Sequence, residues 1–447
     1  MFGIPPSAGH SERGHHLGLL TRRQGAVVKQ QLGKFRTVAA LAVAWGLLAG
    51  GTAAGATRAS ADGGVIRTAP TRLARGVTYT EFRMRLPRGI VHGHLLTVDL
   101  SDPAVSVDLL HPAAVAARAP VSELADDRDA VGAVNGDFFD ISEAQHPQAK
   151  VTGSSVGPAV ESGRELKAAV PDGQRFGPTL PPGATTEDVL TIGYDHRARL
   201  DRLALRGTVR SHEGSWPLRG LNQYALPQGG IGAYTPLWGA VSRERAVCGT
   251  DTDRGAGCDT DTAEVTIRHG RVVQTTARPG AGVIQRGSVV LVGREQGARR
   301  LRTLHRGERV HIGHRLVGHL PGRLRCAVGG FPVLRHGRPA RGLDTAAVTM
   351  RTSVGIADRG RTLFLMALDG EKGKHQTGLT VRELAKLMTL LGARDAMDLD
   401  GGGSSTFVTQ DPYGEAEVRN HPTDGRERPV ANAVGVFSGV GGLGGFS

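Results

Sequence analysis

Thr362-Leu363-Phe364-Leu365-Met366-Ala367-Leu368, then residues 380–392, then Ala396-Met397-Asp398-Leu399 form the most regular stretch of the chain. The first and last segments are short apolar runs of strand length, and the middle one keeps the 3.6-residue period of a helix. Thr380-Val381-Arg382-Glu383 has the form of a capping box, Leu384, Leu387, Met388 and Leu391 make one apolar face, and Gly392 is placed to end the helix. With a further strand over residues 354–357, this βαβ-like module predicts an α+β (mixed α/β) fold: a central β-sheet flanked by helices, with a β-rich insertion. Both strand ends are acidic, Asp369-Gly370 and Asp398-Leu399-Asp400-Gly401, and such ends are where α/β sheets commonly place ligands.

Upstream of the module, residues 78–110 read as successive strands. Pro120-Val121-Ser122-Glu123 suggests a helix start with Ser122 as cap, and Val131-Gly132-Ala133-Val134 is a buried strand that stops abruptly at Asn135-Gly136-Asp137-Phe138-Phe139-Asp140. Short β-prone runs separated by Gly, Pro and Asp fill residues 193–316, the β-rich insertion. Its aromatic residues, Tyr224, Tyr234 and Trp238 among them, are better read as core than as a sugar platform. The expected organisation is a leader over residues 1–61, a linker over 62–75, a β-rich region over 76–134, a main domain over 135–437 containing the insertion, and a Gly-rich tail over 438–447.

The 447 residues carry 55 Lys+Arg against 42 Asp+Glu, a formal charge of +13, but the cations are scattered and no zinc-finger, basic-zipper or stacking signature accompanies them. No nucleic-acid partner is expected. Arg22, Arg23, Lys29, Lys34 and Arg36 precede an apolar run over residues 38–49 and an Ala59-Ser60-Ala61 site, the order of an export signal. A secreted or extracytoplasmic protein is expected, meeting a membrane only through the leader if it stays uncleaved. In that setting Cys248 and Cys258 could close a disulfide and leave Cys326 unpaired. Asp251, Asp253, Asp259 and Asp261 lack the register of a calcium loop and read as a solvated acidic loop.

Asp400 precedes Gly401, Gly402 and Gly403, where backbone amides can approach a ligand, and Ser404 and Ser405, whose hydroxyls can bind an anion. Asn135-Gly136-Asp137-Phe138-Phe139 repeats this grammar at another strand end, offering an amide, a carboxylate and rings. Arg351, followed by Thr352, and Arg428 could each clamp a phosphate with paired N–H donors. His375 could sit near Asp369, though one loop histidine says little.

Gly329-Gly330-Phe331-Pro332-Val333-Leu334, Arg351-Thr352, Leu368-Asp369-Gly370, Gly378-Leu379-Thr380, the Asp398 to Ser405 turn and Arg428-Pro429-Val430 occur in the order seen in phosphodiester glycosidases. The chain resembles that family, which includes N-acetylglucosamine-1-phosphodiester α-N-acetylglucosaminidases, and Asn135-Gly136-Asp137-Phe138-Phe139 resembles its upstream motif. The resemblance implies an exported glycosidase that hydrolyses a sugar-1-phosphodiester to free sugar and a phosphorylated acceptor. It places catalysis on Asp400 and Asp137 with Asp369 in support, and substrate contact on Asn135, Gly136, Phe139, Arg351, Thr352, Gly401, Gly402, Gly403, Ser404, Ser405 and Arg428. The partner is a sugar phosphate or an anionic cell-envelope glycan. No cofactor is required, although a divalent cation on Asp398, Asp400 and Asp137 would make the protein a metal-dependent phosphodiesterase instead. A non-catalytic module for anionic glycans is the other alternative.

Overall fold

Val77–Leu86 and Gly89–Asp99 pair as a long hairpin in which Thr80, Phe82 and Met84 are buried while Glu81, Arg83 and Arg85 alternate outward. In this computed structural model, which describes residues 64–370 and 378–439, the hairpin begins a nine-stranded sheet. The sheet continues through Thr362–Leu368, Thr352–Ala357, Asp395–Asp398, Phe331–Arg335 and Arg338–Pro339. Val65–Arg67 and Thr71–Ala74, within the stretch expected as a linker, pair with Val77–Leu86 at its other edge. The leader, His375 and most of the Gly-rich tail lie outside the described residues.

The expected mixed α/β fold is overturned. The described residues form 26 strands in four sheets and only three α-helices, α1 (Val121–Asp126), α2 (Gln296–Leu301) and α3 (Val381–Leu391). Among the described strand pairs, all are antiparallel except Gly220–Leu221 with Ile231–Tyr234. The central sheet is therefore not flanked by a helical layer. The reason is local: only residues 380–392 sustain a helical period over several turns, and elsewhere Gly, Pro and Asp cut β-branched runs to strand length.

The strand-helix-strand reading survives in altered form. Thr362–Leu368 and Asp395–Asp398 each pair antiparallel with Thr352–Ala357, which lies between them, so they run parallel to each other with α3 in the connection. Their carboxyl ends therefore emerge at one edge, where Arg351 leads into the middle strand. Thr380 caps α3 in a complete capping box with Glu383, and Gly392 ends it at φ 104°. By contrast, α1 begins one residue before the expected Ser122 cap: Pro120 is the N-cap, and the Ser122 hydroxyl donates to Glu427.

A five-stranded sheet of Ala416–Val418, Phe407–Gln410, Gly132–Asn135, Ala433–Ser438 and Val105–Leu110 contributes a second strand end to the site. Two further sheets occupy residues 159–329, with a separate apolar cluster around Leu203, Val265 and Leu291. Tyr224, Tyr234 and Trp238 are fully buried in the main apolar core instead, Tyr234 and Trp238 meeting edge to face at 5.1 Å. All described residues belong to one compact unit, residues 57–447. Among them no helix is long and apolar enough to cross a membrane.

Candidate active site

Asn135 ties the two strand ends together. Its side-chain amide donates to the Asp400 carbonyl at 2.6 Å, and its oxygen accepts from Thr352 Oγ1 at 2.7 Å and the Thr406 N–H at 3.0 Å. The Asp400 N–H donates to the Gly136 carbonyl at 3.0 Å. Asp137 and Asp400 thus leave two different sheets at one seam. A Cβ on Gly136 would stand 2.2 Å from Asn432 Oδ1, the atom that accepts from the Asp137 N–H, so only glycine fits. Asn135 and Thr352 are fully buried with their side-chain atoms engaged by protein, and they build the seam rather than line it.

Asp137, 2% exposed, accepts from the Gly157 N–H through Oδ2 at 2.6 Å, while Oδ1 has no partner. Burial raises its pKa against the Gly157 hydrogen bond and the charges of Lys167 and Arg175. Asp398, fully buried, accepts from Arg351 Nη1 at 3.2 Å through Oδ2 and leaves Oδ1 unpartnered. Burial pushes it up to about 7 despite Arg351 and Arg175. Asp400 remains partly exposed; burial of its carboxyl, tempered by the Ser404 hydroxyl and Arg428, leaves it at about 6.

Two cations that no sequence motif marks complete the group. The guanidinium of Arg175 interacts electrostatically with Asp137, Asp398 and Asp400, lies over the Phe138 ring at 4.2 Å, and leaves Nη2 buried without a partner. Lys167, 1% exposed, donates to the carbonyls of Gly157 at 2.5 Å, Ala168 at 2.7 Å and Val156 at 3.2 Å, and burial lowers its pKa against the pull of Asp137. Neither residue sits in a recognisable pattern, and nothing local could have singled them out.

The other expected residues are placed as follows. Arg351 is buried with every side-chain nitrogen engaged: Nε on the Leu379 carbonyl, Nη2 on that of Ala347, Nη1 on Asp398. Arg428 grips Asp424 and reaches Ser404 Oγ at 3.4 Å. The glycines follow from packing, since a Cβ on Gly401 would meet the Met350 carbonyl at 2.4 Å and one on Gly403 would meet Arg428 Nη2 at 2.0 Å, while Gly402 holds φ 59°. The Gly401, Gly402, Ser404 and Ser405 N–H groups all donate within the protein, whereas the Ser405 hydroxyl is buried and unpartnered. Phe139 packs away from the seam in an apolar cluster with Leu124 and Val430; its neighbour Phe138 faces Arg175.

Asp369 stands one step outward. Burial alone would raise it, but hydrogen bonds from His94 at 3.1 Å and from His421 hold its carboxyl at about 2. It anchors the loop whose Asp424 grips Arg428. It also lines a cavity of about 1,110 Å³ with His92, His94 and Arg83, which none of Asp137, Asp398 and Asp400 lines. Unsatisfied buried polar atoms, not volume, mark the site.

Cys248 and Cys258 form a disulfide, and the loop they close supports the Arg175 turn. Gln174 Nε2 donates to the Thr250 carbonyl at 2.5 Å, Arg254 Nη1 to the Arg175 carbonyl at 2.8 Å, and the Gly173 N–H to Asp251 O at 2.9 Å. The loop's aspartates are dispersed: Asp259 meets Arg294, and Asp261 meets Arg299 and Arg302. Among the described residues, one trio of metal-type side chains lies close enough to share an ion, His146, Cys248 and Cys258, and the disulfide occupies its sulfurs.

The chain is similar in fold to a protein from Burkholderia pseudomallei K96243 that carries the name of an exported protein, at TM-score 0.63 and 19% identity over 84% of this chain and 97% of that one. It is also similar to a hypothetical protein from Synechocystis, at TM-score 0.59 and 17% identity over 81% of this chain, and it spans 62% of that protein's length. The zebrafish N-acetylglucosamine-1-phosphodiester α-N-acetylglucosaminidase catalytic domain, auto-inhibited by its pro-peptide, aligns over 84% of this chain and 88% of that one at 15% identity. Its TM-score of 0.37 adds nothing to the fold argument. No curated protein matches at the sequence level. The family model for phosphodiester glycosidases matches residues 261–437, which include Arg351, Asp369, the Asp398 to Ser405 turn and Arg428. Over residues 261–437 the chain is thus similar to the phosphodiester glycosidase family.

Proposed function

We propose that the protein is an exported glycosidase that hydrolyses a sugar-1-phosphodiester, of the N-acetylglucosamine-1-phosphodiester kind, to free sugar and a phosphorylated acceptor. The observation that carries this reading is the seam itself: Asp137 Oδ1, Asp398 Oδ1, Ser405 Oγ and Arg175 Nη2 are buried without partners, and the cation interacts with three aspartates. A polar ligand would relieve all four.

A phosphodiester departs from the anomeric carbon as a stable anion, so the protein mainly has to hold it and manage the charge left on the sugar. Arg175, with a free donor, is assigned to the phosphate, together with the Ser404 and Ser405 hydroxyls and Arg428 behind them. Arg351 acts through Asp398, whose carboxylate it holds. Asp400, the more exposed of the acids, is assigned to activating water, and Asp137 to stabilising positive charge at the anomeric carbon. Their displaced titration matches groups that change protonation near neutral pH. Asp369 supports the loop that carries Asp424. No cofactor enters this scheme.

The test is hydrolysis of the methyl diester of N-acetylglucosamine 1-phosphate in ¹⁸O-water. Cleavage between C1 and oxygen puts the label in the sugar. Label in the phosphate, lost in chelator, would instead identify a metal-dependent phosphodiesterase, and binding without product would identify a glycan-binding module.

A further inference from the structure

Thr262–Arg268, Arg271–Thr276 and Ser288–Arg294 pair so that Glu264 lies opposite Thr276, Thr266 opposite Gln274 and Val290, and Arg268 opposite Ser288. Alternate residues of these strands pack into the apolar cluster of Val265, Ile267, Val272 and Leu291, which leaves Glu264, Thr266, Arg268, Gln274 and Ser288 on the opposite face. The loop after Thr276 arches over this face. It is pinned by the Gly280 N–H on Glu264 Oε2 at 2.9 Å, by the Gly280 carbonyl under the Arg243 N–H at 2.9 Å, and by the Gly282 N–H on Ala240 O at 2.9 Å. Between loop and sheet is a cavity of about 370 Å³, within the size range of small-ligand sites.

Its lining is polar and cationic, with Arg243, Arg268 and Arg278 against the single acid Glu264. Arg243 is 4% exposed; its Nε and Nη2 form a bidentate pair with Glu264 at 2.8 Å each, and its Nη1 is buried with no partner. Ser288, also 4% exposed, has a buried hydroxyl with no partner. Arg268 and Arg278 are exposed and make no ion pair among the described residues. A fixed buried cation with a spare donor, a spare hydroxyl and two exposed cations thus line one cavity, a combination suited to an anion. Thr266 and Gln274 add neutral groups suited to sugar hydroxyls, and no aromatic ring lines the cavity.

We propose that this cavity is a second, non-catalytic site that takes one anion-bearing sugar unit, uronate or phosphosugar, of a glycan. It shares no lining residue with the aspartate seam, and the inference stands whether or not the seam hydrolyses phosphodiesters.

The test is calorimetric titration of the full chain with trigalacturonate and, separately, glucose 6-phosphate, with maltotriose as the neutral comparison. Binding of either anionic probe but not of maltotriose is expected, the probe that binds identifying the source of the charge. Arg268→Ala with Arg278→Ala should weaken Kd about tenfold or more and Ser288→Ala by roughly threefold, the effect of losing one or two hydrogen-bonding groups. Removing two exposed arginines elsewhere, Arg206→Ala with Arg210→Ala, should change little. The proposal is overturned if neither anion binds, if the Arg206 and Arg210 pair weakens binding as much, or if Arg175→Ala abolishes it, which would place the probe in the seam.

Discussion

Gly329 lies directly against the carboxylate of Asp137: a Cβ on this glycine would stand 2.4 Å from Oδ2 and 2.9 Å from Oδ1. The chain crosses from one sheet to another at Gly329-Gly330, and a Cβ on Gly330 would meet the Asp398 carbonyl at 2.7 Å. Gly329→Ala must therefore push the Asp137 carboxylate or the strand aside, at a cost of roughly 1–3 kcal/mol. We expect a folded variant with a lower melting temperature and turnover reduced at least about tenfold. Parental activity would show that the position of Asp137 is immaterial.

Asp400→Asn and Asp137→Asn should each lower kcat on a sugar-1-phosphodiester by roughly 10²–10⁴, the range for loss of a positioned acid or base. Circular dichroism checks folding, and single-turnover assays separate chemistry from release. Wild-type turnover by a folded Asp400→Asn protein would remove Asp400 from the reaction.

Arg175→Ala should raise KM for phosphodiesters roughly tenfold to a hundredfold, the worth of a charge-assisted hydrogen bond, and leave a neutral aryl glycoside nearly unaffected. Arg351→Ala should act differently, lowering kcat for both substrates because Asp398 loses its partner. The comparison is made by steady-state kinetics on the two substrates. Equal losses on both substrates for Arg175→Ala would refute its assignment to phosphate.

Asp398 and Asp400 are raised from 3.8 to about 7 and about 6, so the folded chain keeps protons that the unfolded chain has released. Their contribution to stability is fully present below pH 3.8 and is lost as pH rises through 6 to 7. Asp369 and Glu161, both held at about 2, act oppositely but only as pH falls toward that value. The melting temperature of the ligand-free protein should thus decline between pH 4.5 and 7.5, and Asp400→Asn should flatten that decline. A scan in which Asp400→Asn leaves the slope unchanged would contradict the displaced titration.

Replacing Cys248 and Cys258 with serine opens a loop of ten-residue separation, which costs about 2–3 kcal/mol in the chain-entropy account. Because that loop holds Gln174 and the Arg175 carbonyl, the same change should raise KM for phosphodiesters more than for a neutral glycoside. Calorimetry and kinetics on the paired variant check both parts.

Much of the candidate site was legible because strand ends and special backbone positions leave local marks. Asp137, Asp369 and Asp400 each follow an apolar run and precede or adjoin glycine, and α3 announced itself through Thr380, Glu383 and Gly392. Lys167 and Arg175 left no mark, since a cation acquires meaning only from the carboxylates that folding sets beside it. Phe138 and Phe139 are indistinguishable in sequence; the turn after Asn135 sends one toward Arg175 and the other into an apolar cluster.

By itself the sequence determined the one long helix with its caps and the strand segments on either side of it, because capping, periodicity and φ preference act within a few residues. The tertiary structure decided that the described residues fold into antiparallel sheets with few helices, and that Arg351 serves Asp398 while Arg175 keeps a free donor. Those outcomes depend on register and burial between segments far apart in the chain, where a buried polar atom must find a partner or wait for a ligand.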